Sequence, residues 1–324
     1  MFSTYYTSVF LKHGGKKEKV DFHPRQLEVV SGASPQRIKS AETSFISVLK
    51  SMSRPQLLTL YRFAGSLFLG IFAHPKIFEW GKRLTHTMAY AGDFALPAVF
   101  LFTANYCNSV ALDRIGISLT YTIKCVIPLI TVLMTLLADG FSALPSNAAL
   151  LALIPIASGV GLASWNSPTF EKRGFIAAMV SSTAQAALNV SSKRALIKTG
   201  ISGLEAQTAM ASVAFSIAIC MTGYTCVKQK DPANVNKEND RALPPVWLSA
   251  AAAAAYHFEY VLSFLFLSLV QPISYGTCDA IRRLGIIIAG RSFFGGEPFS
   301  MLNYSGIGLA LLGAMGYSIA SAKK

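Results

Sequence analysis

Apolar residues in this chain come in blocks of about twenty, separated by short polar stretches, from about residue 55 to residue 321. An α-helix of about twenty apolar residues crosses the ~30 Å hydrocarbon core of a bilayer. Nine such spans are predicted, near residues 55–74, 87–112, 115–137, 146–164, 172–191, 204–225, 244–269, 272–290 and 303–321. Connections as short as Asp113-Arg114 and Gln271-Pro272 make their flanking spans antiparallel hairpins. The longest connection, about 226–243, is rich in Lys, Asp and Asn and ends in Pro244-Pro245, which marks a surface loop. Residues 1–54 carry no comparable block, only a short patch at Phe10 and Leu11, and read as an N-terminal tail, a targeting segment or a degenerate first helix. The fold class that follows is an all-α membrane protein of nine or ten transmembrane helices.

The pattern also repeats. Ile117–Ser164 contains ISLTYTIK, then a proline-containing turn, then IPIASGVGLAS; Ile273–Ser321 contains ISYGTCDAIRR, a second proline turn, then IGLALLGAMGYSIAS. Each copy opens on a polar-started helix with a cation in its first third and closes on a Gly/Ala-rich helix. Duplicated helix-hairpin halves of this kind, often inverted, characterise transporters, whose cargo binds near the midplane between the halves. The expected division is 55–191 for one half and 192–324 for the other. Ala250–Ala255 and the series Gly306, Gly308, Gly313 and Gly316 are expected to let helix backbones approach closely.

Composition supports the membrane reading: 52% of residues are hydrophobic, 14% are charged and mean hydropathy is +0.44, whereas soluble domains carry about 25% charge. The net charge of +13 does not indicate nucleic acid, because many basic residues fall at chain ends and in expected loops, including Lys16, Lys17, Lys19, Lys82, Arg83, Lys193, Arg194, Lys198, Lys323 and Lys324. Lipid headgroups attract cations there. The five cysteines, Cys107, Cys125, Cys220, Cys226 and Cys278, show neither a disulfide frame nor zinc spacing. No metal and no cofactor is implied.

Against this background seven charges within the spans stand out: Arg62, Asp93, Lys124, Glu259, Asp279, Arg282 and Arg283. Each costs about 2.5–3.5 kcal/mol at bilayer centre unless it faces a partner or an aqueous cavity. Lys124 has Thr120 and Tyr121 one turn before it and Pro128 four residues after. Proline has no N–H to give the Lys124 carbonyl, so a kink and an exposed carbonyl are expected there. Arg282 and Arg283 have one aspartate, Asp279, within a helical turn, and one carboxylate cannot neutralise two guanidinium groups. A substrate anion is the natural third party, and arginine's fork suits phosphate. Lys124, Arg282 and Arg283 are therefore the expected phosphate-binding set, with a structural Arg–Asp cluster as the alternative. Glu259, beside Tyr256, His257 and Tyr260, balances this set, carries a proton or pairs with Arg62; Asp93 and Arg62 are expected to satisfy each other.

At these residues the chain resembles the plastid phosphate translocator family, the triose-phosphate and sugar-phosphate/phosphate exchangers of the drug/metabolite transporter superfamily. Gln271-Pro272-Ile273-Ser274-Tyr275-Gly276-Thr277-Cys278-Asp279-Ala280-Ile281-Arg282-Arg283 follows the family's S-P-x-T-[YH]-x-x-G-N-x-x-K-R without gaps. Ser118-Leu119-Thr120-Tyr121-Thr122-Ile123-Lys124-Cys125-Val126-Ile127-Pro128 is similar to S-F-T-H-x-x-K-x-x-E-P, and Asn189–Arg194 to N-x-x-S-K-K; Gly313, Tyr317 and Ser318 add to the likeness. The resemblance, over residues 50 to 321, implies the drug/metabolite transporter fold and places substrate phosphate on Lys124, Arg282 and Arg283. It brings Asn105, Asn108, Thr120, Tyr121, Tyr256, Glu259, Tyr260, Tyr275 and Asp279 forward as pocket-lining candidates. The chain departs from the family at Arg282 (lysine), Asp279 (asparagine), Tyr121 (histidine) and Ile127 (glutamate), at Asn105 and Asn108 (histidine and threonine), and at Glu259 (tyrosine).

The resulting expectation is an antiporter, monomeric or weakly dimeric in the bilayer, exchanging inorganic phosphate for phosphorylated C3–C6 metabolites by alternating access. Triose phosphate, 3-phosphoglycerate, phosphoenolpyruvate and sugar phosphates fall in that class. A plastid or plastid-derived membrane is the expected location, with Golgi or endoplasmic reticulum as the alternative. A nucleotide-sugar carrier and a proton-coupled carrier using Glu259 and Asp279 are the rival transport readings. An enzyme is disfavoured, since there is no metal spacing, G-x-S-x-G or phosphate-binding glycine loop.

Overall fold

The computed structural model describes residues 9, 49, 52–72, 85, 88–140, 146–165, 167, 170–228, 243–269, 282–283, 285–290 and 300–321. Helices account for the regular structure there, and no strand occurs among the described residues. They are α1 (Arg54–Phe72), α2 (Ala95–Ile123), α3 (Ile127–Asp139), α4 (Asn147–Ser164), α5 (Lys172–Thr199), α6 (Gly203–Lys228), α7 (Val246–Leu269) and α8 (Met301–Ser321). Residues 282–283 and 285–290 are also helical. Among the described residues, three stretches are long and apolar enough to cross a membrane: Ala95–Met134, Asn147–Ser164 and Gly203–Thr225.

The expected hairpin turn at Asp113-Arg114 is corrected. The helix continues through both residues, and the break falls at Gly116, with φ +73° and ψ −179°. That backbone region is essentially closed to residues with a Cβ, so glycine and not the charged pair ends the helical run. Arg114 instead reaches out to form an ion pair with Glu171. The span expected over 172–191 also runs on to Thr199, where Gly200 at φ +67° caps it. Lys193, Arg194 and Lys198 thus lie on a helix and not in a loop. Lys198 donates to Asp93 at 2.7 Å. Asp93 is therefore not the partner of Arg62, which corrects a second expectation. Helix α6 likewise extends to Lys228, beyond the expected start of the loop.

Two antiparallel pairs frame the molecule. Along α2 and α5, Asp93 meets Lys198, the Ala104 carbonyl accepts from Ser181 Oγ at 2.8 Å, and Arg114 meets Glu171. Along α4 and α8, the Ala163 and Trp165 carbonyls accept from Asn303 Nδ2 at 3.1 and 2.8 Å, and the Ala320 carbonyl accepts from Ser146 Oγ at 3.1 Å. Between those ends the helices touch backbone to backbone. A Cβ at Gly159 would lie 2.4 Å from the Ala310 nitrogen, and one at Gly306 would lie 2.4 Å from the Ala163 nitrogen. Helices α4 and α8 are also the closing helices of the two sequence repeats. Helix α1 packs between α6 and α7, its Gly65 against Ala253 of the alanine run. The close approach expected of the small residues thus occurs at Gly306, Gly313 and Ala253, while Gly308 has open space around it.

Candidate functional site

The site forms where the opening helices of the two repeats lie side by side. A Cβ at Gly290 would meet Ile117 Cγ2 at 2.7 Å. Seven residues away on each member of the pair, Arg283 Nη1 donates to the Lys124 carbonyl at 2.6 Å. Two contacts with that spacing set the helical residues 282–283 and 285–290 antiparallel to the segment after Gly116.

Pro128 prepares the acceptor. It stands at the start of α3, and the backbone between α2 and α3 tightens into a 3₁₀ turn, Lys124–Val126. The Lys124 carbonyl takes a 3₁₀ bond from the Ile127 N–H and keeps a lone pair for the guanidinium of Arg283. Arg283 is only 9% exposed, so this charge-assisted bond holds a buried cation against the other repeat. Lys124 is half-buried, with Nζ 5.6 Å from the centroid of the Tyr121 ring, a cation–π contact.

Arg282 points differently. Its side chain is partly exposed, and Nη1 donates to Glu259 Oε1 on α7 at 2.7 Å. Next to Glu259, Tyr260 Oη accepts from Asn105 Nδ2 of α2 at 3.4 Å. The Tyr256 and Tyr260 rings lie 4.7 Å apart, and Arg62 sits 5.3 Å from the Tyr256 centroid while donating to Ser109 at 3.4 Å. A polar belt therefore runs from Lys124 and the arginine pair through α7 to α1, inside an apolar bundle.

Most sequence-selected residues lie on this belt. Asn105, Asn108, Thr120, Tyr121 and Tyr256 are buried; Thr120 Oγ1 is committed to the Gly116 carbonyl at 2.6 Å, in its own helix. Tyr275 and Asp279 lie outside the described residues. Two contributors do not stand out in the sequence as site residues: Ser109, and His257, whose Nδ1 is 3.3 Å from Ser66 Oγ. Both are small polar groups on apolar helices, and only the packing of α1 against α2 and α7 gives them charged or polar neighbours.

A helical membrane bundle with a cationic site where two sequence repeats meet defines a solute carrier rather than an enzyme. The chain belongs to the Triose-phosphate Transporter family, which it matches over residues 46–318. Similar relatives include phosphoenolpyruvate/phosphate translocator 1, chloroplastic, of Arabidopsis thaliana, 28% identical over 84% of this chain and 66% of the relative. The triose phosphate/phosphate translocator, non-green plastid, chloroplastic, of Brassica oleracea var. botrytis is 27% identical over 84% and 67%. Glucose-6-phosphate/phosphate translocator 1, chloroplastic, of Arabidopsis thaliana is 25% identical over 84% and 69%. The match thus spans about two thirds of the length of these relatives.

Proposed function

We propose that the protein exchanges inorganic phosphate for phosphorylated three- to six-carbon metabolites across a plastid-type membrane by alternating access. The observation that carries this reading is the meeting of Arg283 with the Lys124 backbone, which gathers cations from both repeats at one level of the bundle. Phosphate, with about −1.5 to −2 charges at neutral pH, complements such a set. Lys124, Arg282 and Arg283 hold the phosphoryl group; Asn105, Tyr121, Tyr256 and Tyr260 face the carbon skeleton, and Asn108 and Thr120 belong to the same pocket. Without cargo the basic groups repel one another in a closed, low-dielectric cavity, so closure around phosphate is favoured over closure around nothing. The names of the relatives agree with this cargo and this membrane.

Purified protein in liposomes preloaded with phosphate should take up labelled phosphate, and external three-, five- or six-carbon phosphates should compete. Absence of phosphate self-exchange by folded protein would refute the proposal. A second expectation follows from the 3₁₀ turn. Pro128→Ala supplies an N–H that competes with Arg283 for the Lys124 carbonyl. Half-maximal phosphate should rise severalfold, about the worth of one charge-assisted hydrogen bond at 1.5–3 kcal/mol diluted by competition. An unchanged phosphate affinity would show that the freed carbonyl does not position Arg283.

A further inference from the structure

We infer that the carrier also moves phosphate without a counter-substrate, because Glu259 stands in for part of the cargo's charge when the site is empty. The inference rests on the phosphate exchange proposed above and adds a second, slower mode to it. Glu259 Oε1 accepts from Arg282 Nη1 at 2.7 Å, so the outer arginine of the basic set holds an anion that belongs to the protein. The turn of α7 that carries this carboxylate is anchored on two sides. Tyr256 packs edge-on against Phe63 of α1, with ring centroids 5.9 Å apart, and Tyr260 accepts from Asn105 of α2 at 3.4 Å. Earlier on α7, Ala253 meets Gly65 at close backbone range. The fold itself therefore presents Glu259 to Arg282, and no cargo is needed to place it.

The pair bears on the step that separates exchange from net transport. An exchanger returns loaded, whereas net transport requires the empty site to close and reopen on the other side. That empty closure is opposed by the mutual repulsion of Lys124, Arg282 and Arg283, with the buried Arg62 farther along the belt. Each cation is repelled by every other, so offsetting one of them removes all of its repulsions at once. Glu259 does this for Arg282. Both partners are partly exposed, so water screens the pair in an open site. Their attraction strengthens as closure excludes that water, which is when the empty site needs it. The remaining cations still favour a loaded return, and exchange stays the faster mode.

The full chain is reconstituted in liposomes loaded with labelled phosphate, with equal potassium on both sides and valinomycin to hold the membrane potential at zero. Efflux into unlabelled phosphate reads exchange. Efflux into potassium gluconate, with no phosphate or phosphate ester outside, reads net movement, and protein-free liposomes supply the passive leak. The quotient of net movement to exchange does not depend on how much protein is active. In wild type it should be on the order of one tenth, the rate ratio set by a modest difference between empty and loaded return. Glu259→Gln, close in shape but neutral, should lower the quotient at least about threefold. Glu259→Asp, which keeps the charge, should lower it less. Should Glu259→Gln fail to fold, Glu259→Ala is equally neutral and carries the same expectation. Exchange in wild type with no net efflux above the passive leak overturns the inference and leaves the exchange reading standing. So does a quotient that the neutral variant lowers by less than threefold, or that Glu259→Asp lowers as far. Absence of exchange itself sinks the underlying site reading as well, so the two failures are told apart.

Discussion

Arg283→Ala should lower phosphate self-exchange by at least about a hundredfold while the protein still purifies as a folded species. The side chain is nine-tenths buried and bonds to a backbone carbonyl of the opposite repeat. A carbonyl carries only a partial charge, so that bond positions the guanidinium without by itself cancelling its positive charge. Truncating a buried, hydrogen-bonded charge that contacts the bound partner costs about 2–5 kcal/mol of binding, and each 1.4 kcal/mol is tenfold in affinity. Arg283→Lys separates the two jobs of the residue. It keeps the charge but loses the planar fork that can hold the Lys124 carbonyl and a phosphoryl oxygen at once. Partial exchange, between wild type and alanine, is therefore expected. Liposome uptake of labelled phosphate checks both variants, with detergent size-exclusion profiles to establish folding. Full exchange by Arg283→Ala would remove the central cation from the proposed site.

The helical bundle is legible in the sequence because the bilayer imposes its own length scale, and blocks of about twenty apolar residues match its thickness. Lys124 and Arg283 are legible because a charge within such a block must be accounted for, and Pro128 foretells which carbonyl is left open. The departures share a physical cause. A run such as Asp113-Arg114-Ile115-Gly116 contains a polar pair and a glycine, and polarity alone points to the pair as the turn; only tertiary structure shows Arg114 reaching to Glu171 and leaves Gly116 as the break. Ion-pair partners are the least legible feature. Asp93 meets Lys198 rather than Arg62, and Glu259 reaches Arg282, because pairing is decided by which helices pack together, information absent from periodicity. The end of α5 is hidden for a related reason: Lys193, Arg194 and Lys198 look like a loop by charge, but long basic side chains are good helix formers and can extend away from an apolar bundle.

Two glycines only two positions apart on α8 should respond to the same substitution with opposite signs. A Cβ at Gly306 would stand 2.4 Å from the Ala163 nitrogen and 2.7 Å from the Gly159 oxygen, whereas a Cβ at Gly308 meets nothing within 4 Å. Backbone atoms cannot swing aside as a flexible side chain can, so Gly306→Ala must push α4 and α8 apart and strain the Asn303 bonds that pin their ends. Overpacking of this kind costs about 1–3 kcal/mol, and Gly306→Leu should prevent the pair from forming at all. At Gly308 the added methyl finds space, and alanine's helix preference over glycine, up to ~1 kcal/mol, should raise stability slightly. Thermal melting in detergent reads both: Gly306→Ala falls below wild type and Gly308→Ala matches or exceeds it. Equal melting of the two variants would mean that α4 and α8 do not touch through backbone in the folded carrier. The consequence reaches the site, because these two helices close the two repeats whose opening helices carry Lys124 and Arg283. A wedge at Gly306 that leaves protein folded but loosened should therefore weaken phosphate binding without touching a residue of the basic set.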